Sequence, residues 1–207
     1  MKGERERTGL YQILIVCAGS CQDMSEKDCI GLIEFRSVPV AVMSLDSMVK
    51  AADVEICFAS PVCPGKYVAI IVGNVSAVQT SIKVGVEEGG SFCISSEVIP
   101  NIHQDVFPAL TGVARSLEAK QSLGLLESMS ATTAIIAADI AAKSANIQIL
   151  EVRMARGLGG KSFLIITGEI SSVKAAIESC ESELSELGDI VSTAVIAQPS
   201  AQLRDYI

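Results

Sequence analysis

The sequence predicts an α/β fold of the α+β, ferredoxin-like kind, in two tandem domains that are each a four-stranded antiparallel sheet with flanking helices. Three observations lead there. The chain repeats itself: Gly31-Leu32-Ile33-Glu34 returns as Gly124-Leu125-Leu126-Glu127, and from there Ser37, Ala41, Asp46, Lys50, Ala52 and Ile56 match residues 93 positions on. After two inserted residues Gly65-Lys66, Gly73, Val78 and Ile82 match residues 95 positions on, so that 17 of 48 compared positions are identical, where unrelated sequence gives about one in fifteen. Each copy reads strand–helix–strand–strand–helix–strand, the layout of a split βαβ unit. Hydrophobic residues make up 49% of the 207 and aromatics only 4%, so the core is built from Val, Ile, Leu, Ala and Met, which suits helices packed on sheets.

In the first copy a strand over about 28–36 leads into a helix whose Val38, Val42, Leu45 and Val49 recur at spacings of 4, 3 and 4, and these are expected to form its buried face. Val54 to Val62 is a second strand, followed by a Pro/Gly turn and the apolar strand Tyr67 to Val72. Val75 to Val86 reads as a helix stopped by Gly89-Gly90, and Phe92 to Ile99 as a fourth strand ended by Pro100. The second copy predicts a strand near 122–128, a helix over 131–145, strands over 147–155 and 162–167, a helix over 171–187 and a strand over 189–197. The expected domains are 28–118 and 119–207, after an extension over 1–27. With helices on one face of each sheet, the other face and the edges are left for association.

Sixteen basic residues against 24 acidic ones give a charge of −8, which argues against a phosphate-backbone binder, and the scarcity of aromatics argues against stacking on single strands. One His in the chain leaves little for acid–base catalysis, so no enzyme is expected. Seven cysteines, an odd number without regular spacing, point to a reducing cytosol. The apolar run Leu10 to Ala18 has the outline of a secretion signal, but Glu4 and Glu6 spoil its basic region and Gln12 interrupts it. No other stretch approaches the roughly 20 apolar residues of a membrane span, so neither nucleic acid nor membrane is an expected partner.

The repeated Gly-Leu-Ile-Glu strand, the Asp-containing helices ending in Lys50 and Lys143, the Gly-Lys exit of each turn and the segment Val98-Ile99-Pro100-Asn101-Ile102-His103 resemble the tandem-domain shell proteins of bacterial microcompartments, from about Cys29 to Leu203. Each repeat opens with the same strand, as in the unpermuted members. The resemblance implies a homotrimer whose six domains make a pseudohexagonal tile with a central pore, in contact with other shell proteins and with encapsulated redox enzymes. The run Cys63-Pro64-Gly65-Lys66 is similar to the pore loop of the iron–sulfur trimers of this family. On its own, one Cys in a turn is no more than an exposed thiol, because clusters take four Cys ligands as a rule. The resemblance implies that Cys63 from three chains holds a [4Fe–4S] cluster, one per trimer, with Pro64, Gly65, Gly157, Leu158, Gly159 and Gly160 lining the pore.

Arg156-Gly157-Leu158-Gly159-Gly160-Lys161 invites a phosphate-loop reading, but it lacks the full motif and precedes a strand, where a phosphate loop opens a helix. Lys50 and Lys143 suit the negative ends of their helices. The resemblance places both at the tile edge. The family's Pro-Arg-Pro-His after the last strand is Pro100-Asn101-Ile102-His103 here, and Gln198-Pro199-Ser200 in the second copy, so the edge arginine is missing. His103 is expected to serve structure at a strand-to-helix junction, and Glu178, Glu181, Glu183 and Glu186 to form a solvated helix face. Three functions follow: a shell tile with a cluster in its pore, a tile whose bare pore passes small metabolites, and a ferredoxin-like oligomer that senses a small ligand.

Overall fold

The computed structural model describes residues 29–110, 121–155 and 157–204; the extension over 1–27, the domain junction at 118/119 and Arg156 lie outside them. The first repeat runs β1 (Cys29–Phe35), α1 (Val38–Ala51), β2 (Val54–Val62), β3 (Lys66–Gly73), α2 (Val75–Gly89) and β4 (Cys93–Pro100), followed by a short α3 (Val106–Leu110). The second runs β5 (Ser122–Ser128), α4 (Ala131–Ser144), β6 (Ile147–Arg153), β7 (Ser162–Gly168), α5 (Ile170–Glu183) and β8 (Ile190–Ile196), followed by α6 (Ala201–Arg204). Strand orders are β2-β3-β1-β4 and β6-β7-β5-β8, antiparallel throughout, which is the ferredoxin-like arrangement. Even the irregularities repeat: the ladder shifts between Ile56 and Phe58 in one sheet and between Ile149 and Glu151 in the other.

The repeated glycine of the first strand has a steric cause. A Cβ on Gly31 would stand 2.7 Å from Ile82 Cγ1, and one on Gly124 would stand 2.8 Å from Val173 Cγ1, so only glycine lets α2 and α5 sit this close to the central strands. Helix α2 starts at Asn74, whose Oδ1 accepts from the Ala77 N–H at 2.9 Å, and it stops at Gly90 with φ +50°.

One sequence expectation is corrected on α1. Its buried residues are Ala41, Ser44, Leu45 and Met48, which pack under α2 with Ile33, Phe35, Ile71 and Val78, while Val38 and Val42 are exposed. The helix is apolar on two sides, so its periodicity fits two faces, and the sheet takes the one with Leu45 and Met48, each worth roughly 1.5–3 kcal/mol when buried.

The face of the first sheet away from α1 and α2 is not open. Ile30, Leu32, Val68, Ile70 and Val72 form one continuous core with Ala131, Ala134, Ile135 and Ala138 of α4, so the second repeat covers the first repeat's sheet. The matching face of the second sheet carries a smaller cluster of its own, Leu123, Leu150 and Ile165, with Leu125, Phe163 and Ile196 partly buried beside it.

Candidate functional site

The turns that join β2 to β3 and β6 to β7 come together. The Cys63 N–H donates to the Ala155 carbonyl at 3.0 Å, and a Cβ on Gly160 would fall 2.6 Å from Pro64 Cδ. The first turn reverses within Cys63-Pro64-Gly65; the Cys63–Pro64 peptide is cis, and Gly65 takes φ +74° where an added Cβ would meet nothing within 4 Å. The second turn is longer by two residues and relies on Gly157, Gly159 and Gly160, all at positive φ. It is anchored at its base, where the Ala155 N–H donates to Ser162 Oγ at 3.1 Å and the Lys161 N–H to the Leu158 carbonyl at 3.2 Å. Cys63, Pro64, Gly65, Gly157 and Gly159 are exposed, Leu158 is half-buried and Gly160 is buried.

A buried carboxylate clamps the repeats beside these turns. Glu34 is 1% exposed, and its Oε1 accepts from Ser130 Oγ at 2.7 Å, the Thr132 N–H at 2.9 Å and Thr132 Oγ1 at 3.0 Å. Lys66 Nζ lies 3.4 Å from Glu34 Oε2 and donates to the Met129 carbonyl at 3.4 Å. The first turn of α4 thus receives the negative charge that its free N–H groups favour. The second copy of this pair is Glu127 with Lys161 at 3.2 Å, and Glu127 is 34% exposed.

Two stretches of the chain, residues 29–102 and 122–199, match the model of the BMC domain, and each spans one of the two sheets with its helices. The chain belongs to the BMC-domain family. Over 170 residues it is 35% identical to the bacterial microcompartment shell protein PduT of Citrobacter freundii, covering 82% of this chain and 92% of that protein. The carboxysome assembly protein CcmO of Synechococcus elongatus (strain ATCC 33912 / PCC 7942 / FACHB-805) is 27% identical over 189 residues, or 86% of this chain and 68% of CcmO. Among solved structures, a microcompartments protein from Desulfitobacterium hafniense DCB has a TM-score of 0.76 and 37% identity, covering 86% of this chain and 98% of that one.

The two BMC domains treat equivalent residues differently. At the end of α1, Lys50 and Asp46 form an exposed i,i+4 pair at 2.5 Å. In α4, Lys143 pairs with Asp139 at 2.6 Å, but Asp139 is buried and its Oδ1 also accepts the His103 N–H at 2.7 Å. His103 stands where β4 hands over to α3, and its Nδ1 accepts the Asp105 N–H at 3.3 Å, as befits a structural residue at that junction. Glu178, Glu181, Glu183 and Glu186 are all exposed.

Of the described cysteines, Cys29, Cys63, Cys93 and Cys180 are free, and Cys63 is the exposed one. Burial pushes the thiols of Cys29 and Cys93 up, and that of Cys180 up to about 12, with Glu183 adding to the effect. Cys29 and Cys180 are core residues, and Cys93 is partly buried against the core. Cys17 and Cys21 lie outside the described residues.

The Gly-Leu-Ile-Glu repeat marks Glu34 without revealing the clamp; the signal for that role is Thr132, a second donor two residues after the repeated Ser130, where the first copy has Pro39.

Proposed function

We propose that the chain is a structural, non-catalytic shell protein of a bacterial microcompartment in the cytoplasm, working as a homotrimer whose six BMC domains close a pseudohexagonal tile around a pore. The supporting observation is that the contact between the two domains of one chain leaves its two halves unused at the opposite ends. α4 is buried on nearly all sides under the first sheet, whereas Val38, Val42 and Met43 on the equivalent side of α1 are 40%, 52% and 61% exposed. The first sheet's outer face is sealed by α4, whereas Leu125, Phe163 and Ile196 on the equivalent face of the second sheet are covered only in part. One chain offers a helix and the next a sheet. Such a contact joins unlike patches and satisfies every copy only by closing a ring.

Within that ring each chain contributes the Cys63 turn and the Gly157–Gly160 turn to the axis. Cys63 is exposed and free, so its thiolate is available as a cluster ligand. No group of three or more His, Cys, Asp or Glu among the described residues could hold a metal within one chain. The resemblance to the iron–sulfur trimers supports a [4Fe–4S] cluster held by Cys63 from three chains, one cluster per trimer, with its fourth corner left to a small ligand. Such a cluster would supply one-electron transfer across the shell, to or from encapsulated redox enzymes, or be inserted and removed through the pore. Lys50 and Lys143 meet other shell proteins at the tile edge. Iron and sulfide analysis after anaerobic reconstitution tests this reading: a brown trimer carries it, and an iron-free trimer replaces it with a bare pore for small metabolites.

A further inference from the structure

We infer that the joint between chains is the weak joint of the tile, because the residues that would meet there lack two of the three hydrogen bonds that α4 gives to Glu34 inside a chain. The inference rests on the head-to-tail trimer proposed above. Inside the chain, Ser130 and Thr132 give Glu34 one hydroxyl, one backbone N–H and a second hydroxyl. Between chains, the same step sets Glu127 against the first turn of the partner's α1. There the partner's Ser37 takes the place of Ser130, and the partner's Pro39 takes the place of Thr132.

Proline has neither a backbone N–H nor a hydroxyl. The carboxylate at the chain joint is left with the Ser37 hydroxyl and its own Lys161. An anion moved out of water keeps its stability only where hydrogen bonds replace those it loses, so the loss falls on assembly and not on the fold of either domain. Pro39 is compatible with the start of α1, where a missing N–H leaves no intrahelical bond unmade. The weakness is therefore confined to the joint and opens the tile between chains before it separates the domains of one chain.

Sedimentation over a range of protein concentrations, with urea added where dissociation needs it, tests this by comparing the native chain with Pro39→Thr and Ser37→Ala. Pro39→Thr should lower the concentration at which trimers fall apart by about tenfold or more, the weight of a hydrogen bond to a charged group, and Ser37→Ala should raise it. Adding Glu127→Gln to Pro39→Thr should remove most of the gain, which separates a bond to Glu127 from a general effect on the helix. If the native chain forms trimers and Pro39→Thr does not tighten them, or tightens them equally with Gln at 127, the inference is overturned while the trimer stands. If the native chain forms no trimer at any concentration, the reading beneath the inference fails and the inference with it.

Discussion

Gly160 lies against Pro64 so closely that a Cβ on it would come within 2.6 Å of the proline Cδ, across the boundary between the two BMC domains. The same glycine has φ +94°, a conformation that other residues rarely adopt. Gly160→Ala therefore meets both a clash and backbone strain, and should destabilise the chain by roughly 2–4 kcal/mol. Gly65→Ala, at φ +74° in open space, meets only the strain and should lose about 1 kcal/mol. Urea unfolding of the two variants side by side measures the difference.

The clamp at Glu34 should dominate the stability of the single chain. Glu34→Ala leaves the Thr132 N–H and two hydroxyls without this acceptor and the half-buried Lys66 without its carboxylate partner, and should reduce stability by about 3 kcal/mol. Glu127→Ala removes an accessible pair with Lys161 and should change the unassembled chain by less than about 1 kcal/mol. Equal effects in denaturant titrations would mean that the clamp does not join the domains.

The outer side of α1 should matter for assembly and not for folding. Val42 is half-exposed, so Val42→Glu should leave the circular dichroism spectrum and unfolding midpoint of the chain within about 0.5 kcal/mol of native while abolishing the trimer in light scattering. Its counterpart Ile135 is fully buried, and Ile135→Glu should prevent folding altogether.

Stability should decline in alkali through Cys180. Its thiol has a usual value of 9.0 and is pushed up to about 12 in the folded chain by burial and by Glu183, so above pH 9 the unfolded chain binds fewer protons than the folded one. The contribution is complete below pH 9 and is lost as pH rises towards 12. Cys180→Ala should flatten that part of a stability–pH curve, and a native-state alkylating reagent should modify Cys63 well before Cys180.

The elements of the fold were legible because the duplication supplied each one twice, and β2 runs over Val54–Val62 as the sequence implied. The face of α1 was not legible: apolar residues on two sides of a helix do not show which side its own sheet buries. Val38 and Val42 fit the expected buried face on spacing alone, but they lie on the side of α1 that its own sheet leaves exposed. The turn residues could be read from Pro64 and the glycines, while the meeting of Cys63 with Ala155 depends on how the two domains pack, which no local pattern encodes.

Native mass spectrometry of anaerobically reconstituted protein tests most directly the claim that three chains close a ring and bring three Cys63 thiolates together. The native chain should give three chain masses plus one [4Fe–4S] cluster, and Cys63→Ser should give three chain masses and no iron. A monomer, an open series of higher assemblies, or iron retained by Cys63→Ser would contradict the account.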